Sequence, residues 1–374
     1  MTSAPVIGVV VNPVAGLGGR VGLKGSDGPE VQRRALALGA RPEAAQRADL
    51  TVRQLLSLAP EVELLTVGGP MGCGAGRVVH RPAGEPTGAA DTRAAVRALV
   101  GAGAGLLLFC GGDGTARDVL DALGPFAALP VLGVPAGVKM HSAVFAHHPR
   151  AAAEVAAAWA RGTGVRLAPA EVVDRDEDAL RAGRVGARVY GRLTVPLLPA
   201  RVQQRKTGSS ADSPADSLGG IAAELAERVG PGALLALGPG TTTHAVATAL
   251  GAPDASLTGV DVLRVRTDGT ARLELRDARA DQLLALPDTP WIALSPIGGQ
   301  GFLLGRGNQQ LSPDLLRAAG PGRLLVLATE AKLAALSGRP LLLDTGDPAL
   351  DHALSGHVRV ITGRHASAVY RLTD

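Results

Sequence analysis

The sequence predicts an α/β first domain built on a doubly wound parallel sheet, over residues 1–165, followed by a β-rich domain over residues 166–374. Three observations carry this division. In the first part, short aliphatic or β-branched runs end repeatedly in glycine-rich loops. Alanine-rich segments with apolar positions at helical spacing follow those loops. Beyond residue 165 come short alternating runs separated by turns, the pattern of antiparallel pairing.

Val6–Val11 is a continuous β-branched run that reads as the first parallel strand, and it opens into Asn12-Pro13-Val14-Ala15-Gly16-Leu17-Gly18-Gly19. Leu64–Val67 is the second strand. Asp91 is placed to cap a helix over Arg93–Val100. Leu106–Phe109 is a strand delivering Gly111-Gly112-Asp113-Gly114-Thr115, with a helix over Ala116–Leu123 after it. Val131–Val134 is a further strand, and Pro149–Arg161 a helix. In the second part, Glu171–Asp174, Val185–Tyr190 and Leu193–Pro196 read as short strands. A helix runs to Val229, and strands follow at Leu234–Leu237, Trp291–Leu294, Leu324–Leu327, Leu341–Asp344 and Val358–Ile361. The last segment has the option of returning to the first domain.

Composition narrows the function. At 374 residues, 46% of them hydrophobic, the chain has length for two cores. No apolar segment reaches the ~20 residues that span a bilayer, and the start, Met1–Pro5, lacks the regions of a signal peptide. A cytoplasmic protein without membrane partners is expected. The net charge of +4 is small, and aromatic residues are 2% of the chain, which argues against stacking platforms for nucleic acid. Cys73 and Cys110 offer neither metal-ligand spacing nor a disulfide framework.

Five glycine-rich loops carry the candidate chemistry. Asn12, Gly16, Gly18 and Gly19 form a loop able to cradle a polyphosphate on backbone N–H groups, or a plain βα turn. No Gly-Lys-Ser/Thr follows, so it is not a P-loop. Gly111, Gly112, Gly114 and Thr115 surround Asp113 at the end of a strand, where open α/β sheets bind ligands. An acid among N–H groups suits a hydroxyl to be deprotonated beside a phosphate, and the plainer reading of Asp113 is a helix cap. The third loop adds Lys139, His141 and Ser142; the lysine is a phosphate partner or a solvated cation, the histidine a structural or a catalytic group. Gly240, Thr241, Thr242 and Thr243 set hydroxyls at a helix N-terminus, suited to phosphate or ribose. Gly299, Gln300, Arg306, Asn308 and Gln309 lie in a glycine-dense, amide-rich stretch that fits phosphate, sugar and base contacts.

Together, Asn12-Pro13-x-Ala15-Gly16-x-Gly18-Gly19, Gly111–Thr115, Pro135–Ser142 and Gly298–Gln310 resemble the NAD kinase superfamily, in particular its divergent ATP-NAD kinase-like (AcoX-like) branch. The likeness runs from about residue 6 to residue 371; Gly-Gly-Asp-Gly-Thr alone is shared with diacylglycerol-type lipid kinases. It implies an NAD kinase/diacylglycerol kinase-like first domain, with nucleotide sites between the domains. It also implies ATP or polyphosphate as donor, Mg²⁺, and phosphorylation of the adenosine ribose 2′-hydroxyl of NAD to give NADP. The acid matching Asp113 would orient or deprotonate that hydroxyl. A homo-oligomer is implied as well. Typical NAD kinases carry an Asn-Glu or Asn-Asp pair that holds the dinucleotide, and neither dipeptide occurs here. The alternatives are a kinase with another small-molecule or lipid acceptor, or a nucleotide-binding regulatory protein without turnover.

Overall fold

The computed structural model describes residues 4–23, 28–124, 128–137, 140–175, 187–198 and 215–374. The chain divides into two compact units. The first comprises Met1–Leu17, Gly25–Gln32 and Arg41–Arg205, and the second Gly18–Lys24, Arg33–Ala40 and Lys206–Asp374. Among the described residues, no helix is long and apolar enough to cross a membrane.

The first unit contains, in order, β1 (Val6–Val11), α1 (Pro29–Ala37, divided between the units), α2 (Ala44–Leu58), β2 (Glu63–Val67), β3 (Arg77–His80), α3 (Ala89–Gly101) and β4 (Leu106–Gly111). After these come α4 (Asp113–Leu123), β5 (Val131–Pro135), α5 (Pro149–Ala160), β6 (Arg166–Arg175) and β7 (Ala187–Leu197). Five strands form one parallel sheet in the order β3-β2-β1-β4-β5. All six residues of β4 are buried, as a central strand covered on both faces must be. On one face α2 packs with α5, and on the other α3 packs with α4, as right-handed crossovers in both directions from β1 require.

Local signals account for several helix starts. Pro149 occupies the first turn of α5, and the His148 ring accepts the Ala151 N–H at 3.1 Å. The α3 helix begins two residues before the anticipated Asp91. Asp91 instead accepts the Gly88 N–H at 2.8 Å from the first turn. The α2 helix has no strong sequence signature, because polar residues interrupt its apolar stripe of Ala44, Ala48, Val52 and Leu55.

The antiparallel pair β6–β7 joins the first unit, although residue 166 was the expected start of the second domain. Val172, Leu193 and Val195 are buried in the first core, so cutting the chain at residue 165 would expose it. The two strands expected between Val185 and Pro196 are one continuous strand from Ala187, with Val185 and Gly186 outside the described residues.

The second unit holds α6 (Ala215–Val229), β8 (Leu234–Leu237), α7 (Thr241–Ala249), β9 (Asp261–Val265), β10 (Ala271–Leu275), α8 (Ala280–Leu284), β11 (Trp291–Leu294) and α9 (Pro313–Ala319). It ends with β12 (Leu324–Leu327), α10 (Glu330–Ala334), β13 (Leu341–Leu342), α11 (Pro348–Leu354), β14 (Gly356–Gly363) and β15 (Ala366–Thr373). Eight strands form a mixed sheet in the order β10-β9-β8-β11-β12-β14-β15-β13. Its centre, β8-β11-β12-β14, is parallel, and antiparallel strands flank it. Alternate residues serve opposite faces. Leu235, Leu237 and Ala293 pack with α6 and α7 through Leu225 and Val246. Leu234, Ala236 and Ile292 pack with Leu283, Leu315 and Leu333 of the short helices. The closing β14–β15 hairpin stays in this sheet, so the last segment does not return to the first unit.

Candidate functional site

The order β3-β2-β1-β4-β5 places a topological switch point between β1 and β4, because the chain builds outward from β1 in one direction and then in the other. Parallel sheets of this kind bind ligands in the crevice beyond the carboxyl ends of the strands at such a point. The loops after β1, β4 and β5 all emerge there.

Backbone geometry ties the three together. The Asn12 N–H donates to Cys110 O at 2.9 Å, prolonging the β1–β4 register by one bond. Its side chain divides its work: Oδ1 accepts the Val14 N–H at 3.2 Å, turning the loop, and Nδ2 donates to Thr115 Oγ1 at 2.9 Å. Gly16 has φ +78°, and a Cβ there would lie 2.1 Å from the Ala136 carbonyl oxygen. Gly111 O accepts the N–H groups of Ala136 and Gly137 at 2.9 and 3.2 Å. Gly112 and Gly137 meet backbone to backbone, since a Cβ on Gly112 would sit 3.2 Å from the Gly137 Cα. Gly114, in contrast, faces open space: a Cβ there would meet nothing within 4 Å.

Asp113 occupies the centre of this cluster in the first turn of α4 and is 6% exposed. Its Oδ2 accepts the His141 N–H at 2.7 Å, and its Oδ1 accepts the Ser142 N–H at 3.0 Å. The His141 ring Nδ1 lies 3.4 Å from Oδ2. The carboxylate therefore clamps the β5 loop and does not cap α4, whose N-cap is Gly112 and which has no side-chain cap bond. Each carboxylate oxygen has two lone-pair directions, so acceptor capacity remains for a ligand hydroxyl. Ser142 reaches the other way: its hydroxyl donates to Val173 O and accepts the Val173 N–H, both at 2.9 Å. Two residues that the motifs do not mark also reach this edge. Arg47 donates to the Pro135 carbonyl, and the Cys110 thiol donates to Ala44 O at 3.2 Å. Burial pushes that thiol up to about 12, so it stays protonated and unreactive. Lys139 lies outside the described residues.

The structure thus brings Asn12, Gly16, Gly111, Gly112, Asp113, Thr115, His141 and Ser142 together within the first unit. Gly114 lies in the same unit, and the remaining anticipated residues, Lys139 apart, belong to the second unit. Gly18 and Gly19 accept the Leu23 and Gly22 N–H groups in turns, and a Cβ on Gly19 would lie 3.3 Å from the Gln309 side chain. The Gly299 carbonyl accepts from Arg339 at 3.0 Å, and Gln300 is buried. Asn308 is consumed by its own loop, with Oδ1 accepting the Gly305 N–H and Nδ2 donating to Leu303 O, both at 2.9 Å. Arg306 pairs with Asp344 at 2.9 Å, both side chains buried, and its guanidinium lies 4.6 Å over the Phe302 ring. These internal bonds engage Arg306 and Asn308 within the second unit, as buried polar groups must find partners.

Gly240 precedes α7 with φ +136°, and Thr243 Oγ1 donates to its carbonyl at 3.0 Å. Thr241 opens the helix, and Thr242 Oγ1 accepts from Lys332 Nζ at 3.1 Å. Sequence reasoning passed over Lys332. Its one available signal was rarity, since the chain contains four lysines.

The profile of the ATP-NAD kinase N-terminal domain matches residues 7–163, and that of the ATP-NAD kinase C-terminal domain matches residues 234–372. No curated protein matches the chain. Among solved structures, a putative diacylglycerol kinase from Bacillus anthracis str. Sterne is similar at 16% identity and a TM-score of 0.24. That match covers 46% of this chain and 46% of the other, so under half the length of each is aligned. The two domain matches together span most of the sequence, with the first containing the Asp113 loop cluster: the chain belongs to the ATP-NAD kinase family.

Proposed function

We propose that the protein is a magnesium-dependent kinase that transfers the terminal phosphoryl group of ATP, or of polyphosphate, to the adenosine ribose 2′-hydroxyl of NAD, giving NADP. The observation that carries this reading is the convergence of three loops on Asp113 at the β1–β4 switch point. In the transfer, the acceptor oxygen forms a bond to phosphorus while the bond from phosphorus to the donor's bridging oxygen breaks. Asp113 accepts the hydroxyl proton, or the hydrogen bond that aims the hydroxyl, contributing about 10²–10⁴-fold as a base. Gly114 leaves room for a phosphate beside the first turn of α4, and Asn12 holds the β1 loop against that turn through Thr115.

The residues present fit a magnesium ion carried on the nucleotide. Asp113 is the one acid among the described residues of the loops after β1, β4 and β5, and Mg²⁺ is commonly held by one or two carboxylates together with substrate phosphates. When bound, the ion would offset charge on the transferring phosphoryl oxygens. The same reading makes the protein a cytoplasmic homo-oligomer working on a soluble nucleotide.

The test is incubation of the purified chain with ATP, Mg²⁺ and NAD, with chromatographic detection of NADP. NADP formation that requires Mg²⁺ and ATP or, in a parallel incubation, polyphosphate is expected; its absence with both donors refutes NAD as acceptor. One observation favours a second reading, a kinase of the same family with a different hydroxyl acceptor. The chain has no Asn-Glu or Asn-Asp pair. A panel of nucleosides, sugars and diacylglycerol, scored by ADP release, separates the two.

A further inference from the structure

We propose that His141 and Asp113 form a catalytic pair, in which the ring Nε2 of His141 takes the proton of the acceptor hydroxyl and the Asp113 carboxylate holds the ring and the charge it gains. This pair rests on the phosphoryl-transfer reading and goes beyond it: the proton ends on the ring, and the carboxylate acts through it.

The geometry sets the tautomer. His141 Nδ1 lies 3.4 Å from Asp113 Oδ2. An ionised carboxylate only accepts hydrogen bonds, so the proton of the neutral ring sits on Nδ1 and the lone pair on Nε2. Nε2 has no hydrogen-bond partner among the described residues. The main chain fixes the ring in place, since the His141 N–H donates to the same Oδ2 at 2.7 Å. The next residue anchors the loop from outside the pair: the Ser142 hydroxyl bonds both the N–H and the carbonyl of Val173 on β6, each at 2.9 Å. Burial then separates the two groups. The Asp113 side chain is 6% exposed and that of His141 24%, so the ring offers the more accessible base.

The chemistry assigns the roles. A phosphoryl acceptor must lose a proton as its oxygen bonds to phosphorus. In the pair, the Nε2 lone pair takes that proton while the new O–P bond forms and the bond from phosphorus to the donor's bridging oxygen breaks. The neutral imidazole becomes an imidazolium, and its Nδ1–H faces a negative oxygen in a charge-assisted bond. The proton passes to water from the exposed ring once the product has left. Asp113 sets the tautomer beforehand and pairs with the cation afterwards, as an acid behind a histidine base does. Replacing either residue therefore stops the same step.

Substitution separates the ring from the main chain. His141→Ala keeps the amide that Asp113 accepts, so the loop clamp survives the loss of the ring. On the full chain, with Mg²⁺ and the donor and acceptor that wild type uses, kcat of His141→Ala should fall by about 10²–10⁴-fold, the worth of a general base. KM for the donor should stay at the wild-type value. Imidazole added to the buffer should restore part of the rate in His141→Ala and none in Asp113→Asn, each variant first shown to be folded by circular dichroism. His141→Asn, whose amide can still donate to Asp113 but cannot take a proton, should be as slow as His141→Ala. A purely structural ring predicts the opposite, with His141→Asn recovering the rate and imidazole without effect, and that result overturns the pair. Turnover of His141→Ala within a few-fold of wild type also overturns it, leaving Asp113 as the base and the kinase reading standing. Wild type that phosphorylates no acceptor from either donor overturns the pair and the kinase reading together.

Discussion

Replacing Asp113 by asparagine keeps the size of the side chain but removes its charge and one of its two acceptor oxygens. In the native protein those oxygens receive the N–H groups of His141 and Ser142 at 2.7 and 3.0 Å, in a position 6% exposed. Asparagine offers a carbonyl to one amide and an NH₂ group to the other, so donor faces donor. Losing a hydrogen bond to a charged group costs about 1.5–3 kcal/mol, and a buried orphan donor about 1–3 kcal/mol. The two figures overlap, and about 2–4 kcal/mol is the expected loss. The perturbation therefore reaches both stability and chemistry, and the assay must separate them. Trp159 lies in the first unit and Trp291 in the second. In a Trp291→Phe background, urea unfolding followed by fluorescence reads the first unit alone. Turnover measured without urea, where the variant is still folded, should fall by about 10²–10⁴-fold if Asp113 is the base. An unchanged urea midpoint would refute the clamp. Turnover within a few-fold of wild type, in a folded variant, would refute the base.

Three further outcomes follow from the geometry. Gly16→Ala should destabilise the first unit by at least the ~1–3 kcal/mol of a strained left-handed residue, since φ is +78° and the new Cβ would overlap the Ala136 carbonyl; an unchanged Trp159 transition would count against this packing. Arg306→Met should cost about 3–5 kcal/mol by removing the cationic partner of the buried Asp344 carboxylate, with most of it recovered in Arg306→Met/Asp344→Leu; a drop in nucleotide affinity without a stability loss would instead make Arg306 a ligand contact. Cys110 titrates near 9.0 when unfolded and about 12 when folded, burial being the first cause. Its folded form holds the proton more tightly, so its contribution is complete below pH 9 and is lost as pH rises toward 12. Wild type should thus lose about 1.4 kcal/mol per pH unit relative to Cys110→Ala across that window, and parallel stability curves for the two proteins would contradict it.

Three strands of the first unit were readable because each is an apolar run that opens into a glycine- or proline-bearing loop: Val6–Val11, Leu106–Gly111 and Val131–Pro135 state their burial locally. α5 was readable for a similar reason, its alanines and its Pro149 start. β9, β10 and β15 were not, since Arg264, Arg272 and Arg371 interrupt their apolar residues and none of them offers a long continuous apolar run. The assignment of β6–β7 to the first unit was equally hidden. Val172 and Leu193 look like any strand residues until Ser142 bonds Val173 from another loop.

By itself the sequence determined that glycine-rich loops follow parallel strands and that one of them presents Asp113. Glycine content and apolar runs are local properties, and local properties survive in a linear chain. The strand order that turns three loops into one crevice belongs to the tertiary structure alone. So do the partners of Asp113, which are backbone amides 28 and 29 residues downstream. An amide N–H is the same whatever side chain it carries, so no residue type could have announced that clamp. Lys332 makes the same point from the other unit. Its ammonium donates to hydroxyls 90 and 37 residues away, and only folding brings them within reach.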